Sequence, residues 1–436
     1  MRVISGEDTG APPVRECPAC GAPVPVDETY VEWCAACDWN VDPGTPDPEP
    51  GRIAAFRRRL AHRHGEQLAA ELARGAEHGE PRGTSASAVL AQGVSLVVHS
   101  LTVLLAVAGV LLIVLGWETG VQPVLGALLL GLAVVLRPRP GRLPKDAPVL
   151  SRGAAPELFG LVDEVAAALG TGGVRAVVVV PGANAGVTTY GLRQHRVLYL
   201  GLGLWEVLTP QERVALLGHE LGHLAHGDTR RAGFTVGALH SLSVWYYLLA
   251  PTPPTGLLDR FVNTVVFLPR CAVLGLLRLL DILTLRASQR SEYLADASAA
   301  RVGSTAAAVA LMDRLLIADT VDAGLRREAV AAGMRGGGAG RGAREAAERE
   351  LWERLAARFA AVPEREYERL RRVAARRGHS VDSTHPPTHL RRRLAAAGGP
   401  HPGLVSFAEQ RVETVAAELA PARAALARRV IRDFAT

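Results

Sequence analysis

Leu217-Gly218-His219-Glu220-Leu221-Gly222-His223-Leu224-Ala225-His226-Gly227-Asp228 is the stretch around which the rest of the chain can be organised. On an α-helix His219 and His223 stand one turn apart on the same face. Both imidazoles can then reach one Zn2+, while Glu220, beside the metal, is placed to deprotonate a water molecule. Just upstream, Thr209-Pro210-Gln211-Glu212 reads as a helix start: Thr209 can cap it, Pro210 suits its first position and Glu212 reinforces its first turn. Two ligands from one helix leave a zinc site short of a third, with a further position open for water or substrate.

The candidate third ligand lies downstream in Ser291-Glu292-Tyr293-Leu294-Ala295-Asp296, a helical run in which Glu292 and Asp296 share a face. Glu292 would bind the metal and Asp296 would orient one of the ligating histidines from behind. Two acids on a helix face are ordinarily just solvated; it is the pairing with His219 and His223 that gives them a metal reading.

With a hydrophobic segment between them, these two motifs resemble the membrane metallopeptidases of the HtpX and CAAX prenyl endopeptidase family. Asn184-Ala185 is similar to that family's upstream asparagine-alanine segment, and Thr384-His385-Pro386-Pro387 to its late threonine-histidine-proline segment. The resemblance implies an α+β fold, a mainly helical gluzincin-type zinc metallopeptidase domain with a small sheet and transmembrane helices; the N-terminal zinc ribbon of this chain is a departure from the family core. It also implies that Asn184 and Ala185 lie beside a sheet edge whose unpaired amides and carbonyls bind extended substrate backbone. His385 would donate to the oxyanion that develops during hydrolysis. The plainer readings are a turn before a strand for residues 184–185, and a helix-entry turn set by Pro387 for His385.

A chain of 436 residues allows two or three domains, and 48% hydrophobic content is high for a soluble protein, so a membrane component is expected. The net charge of +6 is modest, and its arginine clusters flank apolar runs. That arrangement suits a bilayer surface; no nucleic-acid partner is expected.

Four of the five cysteines form Cys17-Pro18-Ala19-Cys20 and Cys34-Ala35-Ala36-Cys37, two knuckles with the spacing of a structural zinc site. A pair of disulfides is the alternative, but nothing before Cys17 reads as a secretory leader, and thiolate ligation needs a reducing compartment. Such a small ribbon folds around its metal and is expected to recruit a protein partner. Cys271, alone in an apolar run, reads as a small buried hydrophobe.

The expected organisation is a ribbon over residues 1–45, a linker and charged solvated helix over 46–85, a transmembrane hairpin over 86–140, and a metallopeptidase domain over 148–436. Residues 94–117 carry no formal charge and are long enough to cross the bilayer. Residues 124–136 return, and flanking arginines place both ends in the cytoplasm. Within the peptidase domain, residues 156–169 predict a helix and residues 174–180, 184–187 and 197–200 predict strands. An inserted hydrophobic pair at about 232–285 is expected to cross the bilayer twice or not at all, since His219, His223 and Glu292 must meet on one side; two crossings are favoured, although Arg270, Arg278 and Asp281 are costly there. Residues 333–342 predict a glycine-rich mobile loop and residues 344–377 a solvated charged helix.

The sequence therefore predicts a multi-pass zinc endopeptidase of the cell membrane, with ribbon and catalytic site facing the cytoplasm and polypeptides as substrates in membrane or misfolded-protein quality control. Two alternatives stay open: a prenyl-protein endopeptidase, and a non-catalytic membrane scaffold that recruits partners through the ribbon.

Overall fold

The computed structural model describes residues 3–4, 13–44, 51–75, 86–137, 141–191, 193–226, 228–336, 341–377 and 385–435. At the N-terminus β1 (Val3–Ile4), β2 (Val14–Glu16) and β3 (Pro23–Pro25) form a small antiparallel sheet in that order. The two cysteine knuckles beside it close alike: the Gly21 amide donates to Cys17 O and the Asp38 amide to Cys34 O, each at 2.9 Å. Both turns end with a positive φ, 74° at Gly21 and 59° at Asp38. Of the expected linker, residues 45–50 lie outside the described residues.

Helix α1 (Arg52–Gly75) departs from the expectation of a solvated helix. Its Leu68 and Ala69 are buried with Tyr293 and Leu390, and the Tyr293 hydroxyl donates to Gly65 O at 2.9 Å. A narrow apolar stripe is enough to dock a charge-rich helix when another element offers a matching surface, and sequence periodicity does not reveal that surface.

Helix α2 (Ala86–Leu115) and α3 (Val121–Leu136) form a hairpin. Among the described residues α2 is the one helix long and apolar enough to cross a membrane, and α3 is apolar but only 16 residues long. Many of their leucines and valines face outward, among them Leu96, Val97, Leu104, Val114 and Leu128.

The second sheet is built from β4 (Val149–Leu150), β5 (Ala176–Val180), β6 (Ala185–Tyr190) and β7 (His195–Gly201), in the order β4-β5-β7-β6. β5 and β7 run parallel; β6 runs antiparallel to β7, with Ala185 opposite Leu200, and forms the sheet edge. Helix α4 (Pro156–Ala168) lies on this sheet, and Phe159, Val177, Leu198 and Leu217 share one core.

Helices α5 (Leu202–Val207) and α6 (Pro210–Ala225) follow, then α7 (Asp228–Leu248) and the 47-residue α8 (Leu257–Gly303). Ala91 and Val98 of α2 pack with Ala238, Leu242 and Trp245 of α7 and Leu280 of α8, and Trp245 Nε1 donates to Leu136 O at 2.9 Å. The inserted apolar pair thus joins the hairpin in one bundle, and its second member runs without interruption into the segment bearing Glu292 and Asp296. Two of the charges that looked costly have partners: Asp281 accepts from Arg57 of α1 at 2.6 Å, and Arg270 lies over the Tyr246 ring at 4.3 Å. Cys271 is exposed on α8, not buried, because it lies on the outer face of the bundle.

The chain ends in α9 (Thr305–Leu315), α10 (Ala318–Gly336), α11 (Arg341–Ala360), α12 (Glu364–Arg377), α13 (Thr388–Ala397) and α14 (Glu409–Ala435). The glycine-rich stretch expected as a loop is helical up to Gly336 and again from Arg341, and residues 337–340 lie outside the described residues. The charged stretch after it is not a solvated face either. Helix α11 buries Leu351, Trp352, Leu355 and Phe359 in the main core, and α12 lies against the N-terminal ribbon.

Candidate metal centre

The histidine helix starts as its sequence dictates. Thr209 caps α6 by accepting from the Glu212 amide, Glu212 Oε2 accepts from the Thr209 amide at 2.9 Å, and Pro210 fills the first turn. What the sequence did not announce is how closely α6 meets α8. A Cβ added to Gly218 would lie 2.2 Å from Val302 Cγ2 and 3.1 Å from the Ala299 Cα, and one added to Gly222 would lie 2.9 Å from Ser298 Cβ. The two glycines between and beside the histidines therefore let the helices touch almost backbone to backbone. That closeness carries Glu292 and Asp296 to His219 and His223.

His219 Nε2 lies 3.5 Å from Glu292 Oε2, and His223 Nε2 lies 3.6 Å from Glu292 Oε1. One ligand atom from each of the three falls within 4.8 Å of the others. Bonds of about 2.0–2.1 Å at tetrahedral angles separate neighbouring ligand atoms by roughly 3.3–3.4 Å, so this donor set fits one zinc ion. Glu292 Oε2 is buried, with the nitrogens of His385, His219 and Arg391 gathered around it at 3.1, 3.5 and 3.6 Å.

The surroundings fix the ligands. His219 Nδ1 lies 3.0 Å from Asp296 Oδ1, which leaves Nε2 to face Glu292, and His223 Nδ1 lies 3.2 Å from Ser291 Oγ. Asp296 is in turn gripped on both oxygens by Arg391, at 2.8 and 2.7 Å. Sequence reading missed Arg391. It sits in Arg391-Arg392-Arg393, where nothing but its 1% exposure and its carboxylate partners distinguishes it from its neighbours. His385 Nε2 comes within 3.1 Å of Glu292 Oε2, so the late motif does reach the centre, although Thr384 lies outside the described residues.

Electrostatics follow from burial and from these pairs. Burial opposes a charge on His219, but the carboxylates of Asp296 and Glu292 outweigh it and lift its pKa to about 10. Burial and then the neighbouring His219 charge depress His223 to about 4. Glu292 is held down to about 2, against its burial, by His219 and Arg391; Asp296 is held well below the carboxylate range by Arg391 and His219. Burial pushes Glu220 the other way, upward. Asn184 is exposed just before β6 and Ala185 is its first residue; that edge strand runs beside α6.

A second donor cluster lies in the ribbon. The Sγ atoms of Cys17 and Cys37 are 3.7 Å apart, those of Cys20 and Cys34 3.6 Å, and all four cysteines are free thiols whose sulfurs gather within 4.8 Å. Zinc–sulfur bonds of about 2.3 Å at tetrahedral angles require roughly 3.8 Å between sulfurs, so this set also fits zinc.

Residues 155–398, more than half of the chain, match the description Peptidase family M48. Among curated proteins, Protease HtpX of Pseudomonas putida strain W619 is 26% identical over 169 residues, covering 36% of this chain and 54% of its own length. Protease HtpX of Pseudomonas entomophila strain L48 is 26% identical over 147 residues, covering 30% of this chain and 46% of its own. The chain spans about half the length of these relatives. No solved structure matches it. The paired histidines on α6, the acids facing them from α8 and the matched span agree: the chain belongs to peptidase family M48, as an HtpX-like member.

Proposed function

We propose that the protein is a membrane-associated zinc endopeptidase that cleaves misfolded or membrane-associated polypeptides. His219, His223 and Glu292 hold the catalytic ion, and Cys17, Cys20, Cys34 and Cys37 hold a structural one. The observation that carries this reading is the match between the two histidine–Glu292 separations and a tetrahedral zinc site, with all three donors within 4.8 Å of one another and a buried acid on the neighbouring residue.

When bound, Zn2+ polarises the scissile carbonyl and makes water acidic enough to deprotonate near neutral pH. Glu220 takes that proton and returns it to the leaving amine, a transfer aided by the upward push of its buried site. Asp296, locked by Arg391, keeps His219 in one tautomer and orientation. His385 donates to the oxygen on which charge develops, so its loss should reduce turnover more than metal content. Extended substrate pairs with the free edge of β6, and Asn184 and Ala185 lie at the start of that edge.

The bundle of α2, α3, α7 and α8 anchors the enzyme in the bilayer, with ribbon and active site on the cytoplasmic side. The outward leucines and valines of α2 and α3, and Phe261, Val265, Phe267 and Leu268 on α8, support this. A scaffold without catalysis has no use for Glu220.

Glu220→Gln should keep its zinc and lose casein cleavage by roughly 10²–10⁴-fold. Cleavage at the wild-type rate would remove the base assignment. Running a prenylated peptide beside unfolded casein, with and without chelator, identifies the substrate class.

A further inference from the structure

Helix α12 turns an arginine face to the ribbon. Arg365 donates to the carbonyls of Pro25 and Trp33 at 2.9 and 2.6 Å, Arg369 to Val41 O at 2.8 Å, and Arg372 to Ala35 O at 2.7 Å and Asp38 Oδ1 at 2.6 Å. Trp33, 1% exposed, packs beneath the guanidinium groups of Arg365 and Arg372, which lie 5.8 and 4.9 Å from its ring centre. Ala35 lies inside the second knuckle and Asp38 is the left-handed residue that closes it, so these acceptors are in register only when the ribbon is folded. A single exposed ion pair stabilises little, but several charge-assisted bonds to fixed carbonyls around a buried indole make a specific dock.

On its other side α12 rests on the main core through Tyr367, whose hydroxyl accepts from Arg314 of α9. Its buried residues are Tyr367 and Ala374, and a cavity of about 320 Å³ separates it from α13, lined by Leu316, Arg371, Ala374, Thr388, His389 and Arg392. What bridges that gap is Asp313, whose Oδ1 accepts from Arg371 of α12 at 3.0 Å and from Arg392 of α13 at 2.9 Å. The next residue upstream on α13 is Arg391, the clamp on Asp296, and His385 lies at the entrance to the same helix. A continuous polar path therefore runs from the ribbon through α12 and Asp313 to α13 and the metal centre.

We propose that the ribbon is a positioning module for the catalytic residues: by gripping α12 through Arg365, Arg369 and Arg372 it fixes α13, and so holds Arg391 and His385 at the metal. The proposal rests on the peptidase reading above for its effect on turnover, though not for its structural half. The three arginines are positioning residues that act through α13, and the ribbon becomes part of the catalytic apparatus without touching substrate.

The test is the Arg365→Ala/Arg372→Ala double variant of the full chain in detergent, compared with wild type by hydrogen exchange, zinc content and casein-peptide kinetics. The expected result is faster exchange in residues 364–377 and 385–397, two zinc ions retained, kcat lower by roughly tenfold and KM little changed. A Cys17→Ser/Cys20→Ser variant, which unfolds the ribbon itself, should reproduce the exchange pattern in 385–397. Unchanged exchange in 364–377 would show that the arginines do not hold the dock. Faster exchange there with 385–397 and kcat unchanged, or a double variant holding fewer than two zinc ions, would equally overturn the positioning role. If wild type cleaves nothing, the peptidase reading fails on its own, and exchange in 385–397 still decides the coupling.

Discussion

The two candidate metal sites of this chain are built in opposite ways. The ribbon closes its four thiols within about twenty residues of chain, using knuckle turns whose amides return to the first cysteine of each pair. The catalytic centre draws one face from α6, another from α8, a clamp from α13 and His385 from the turn before it, over more than 160 residues. A local site depends on spacing alone, whereas a dispersed one depends on how helices pack. Loss of the ribbon's ion should therefore require damage to its own knuckles, whereas the catalytic centre should also be disrupted from residues that never touch its ion.

The largest effect is expected where that contrast is sharpest. Glu292→Ala removes a ligand that no sequence neighbour can replace, so catalytic zinc and all cleavage should be lost while the ribbon keeps its ion. Metal analysis should fall from two zinc per chain to one; retention of two would mean that another donor substitutes. Asp296→Asn is expected to come next. It leaves all three ligands but frees His219 and strands the buried Arg391, so zinc affinity at this site should drop roughly 10–100-fold, as read by chelator competition. Equal affinity in wild type and variant would reduce Asp296 to a structural partner of Arg391.

The smallest effect concerns folding alone. Thr209→Ala deletes the cap of α6, and the protein should lose about 1 kcal/mol of stability in chemical denaturation with both zinc ions retained at native conditions. A change in ribbon zinc in that variant would break the separation between the two sites.

The same contrast explains what could be read from sequence. The capped helix with His219 and His223, the acids on α8, the strands around residues 176–201 and both cysteine knuckles are set by short-range patterns, and each element stands where its pattern placed it. Arg391 was illegible because one arginine in a run of three looks like its neighbours until tertiary packing buries it. No local pattern marks Gly218 and Gly222, and only the crossing of α6 over α8 gives them meaning. Helices α1 and α12 were read as solvated because charge dominates them. Their partners, Tyr293 and Leu390 for α1 and the ribbon carbonyls for α12, lie more than 200 residues away in sequence.

The most direct test of the catalytic centre is zinc X-ray absorption on the Cys17→Ser/Cys20→Ser variant, which isolates it from the ribbon. The expected spectrum has two imidazole nitrogens and carboxylate or water oxygen at about 2.0–2.2 Å, with no sulfur. A variant without zinc, or zinc bound by sulfur or by fewer than two imidazoles, would contradict the convergence of α6 and α8 on one ion.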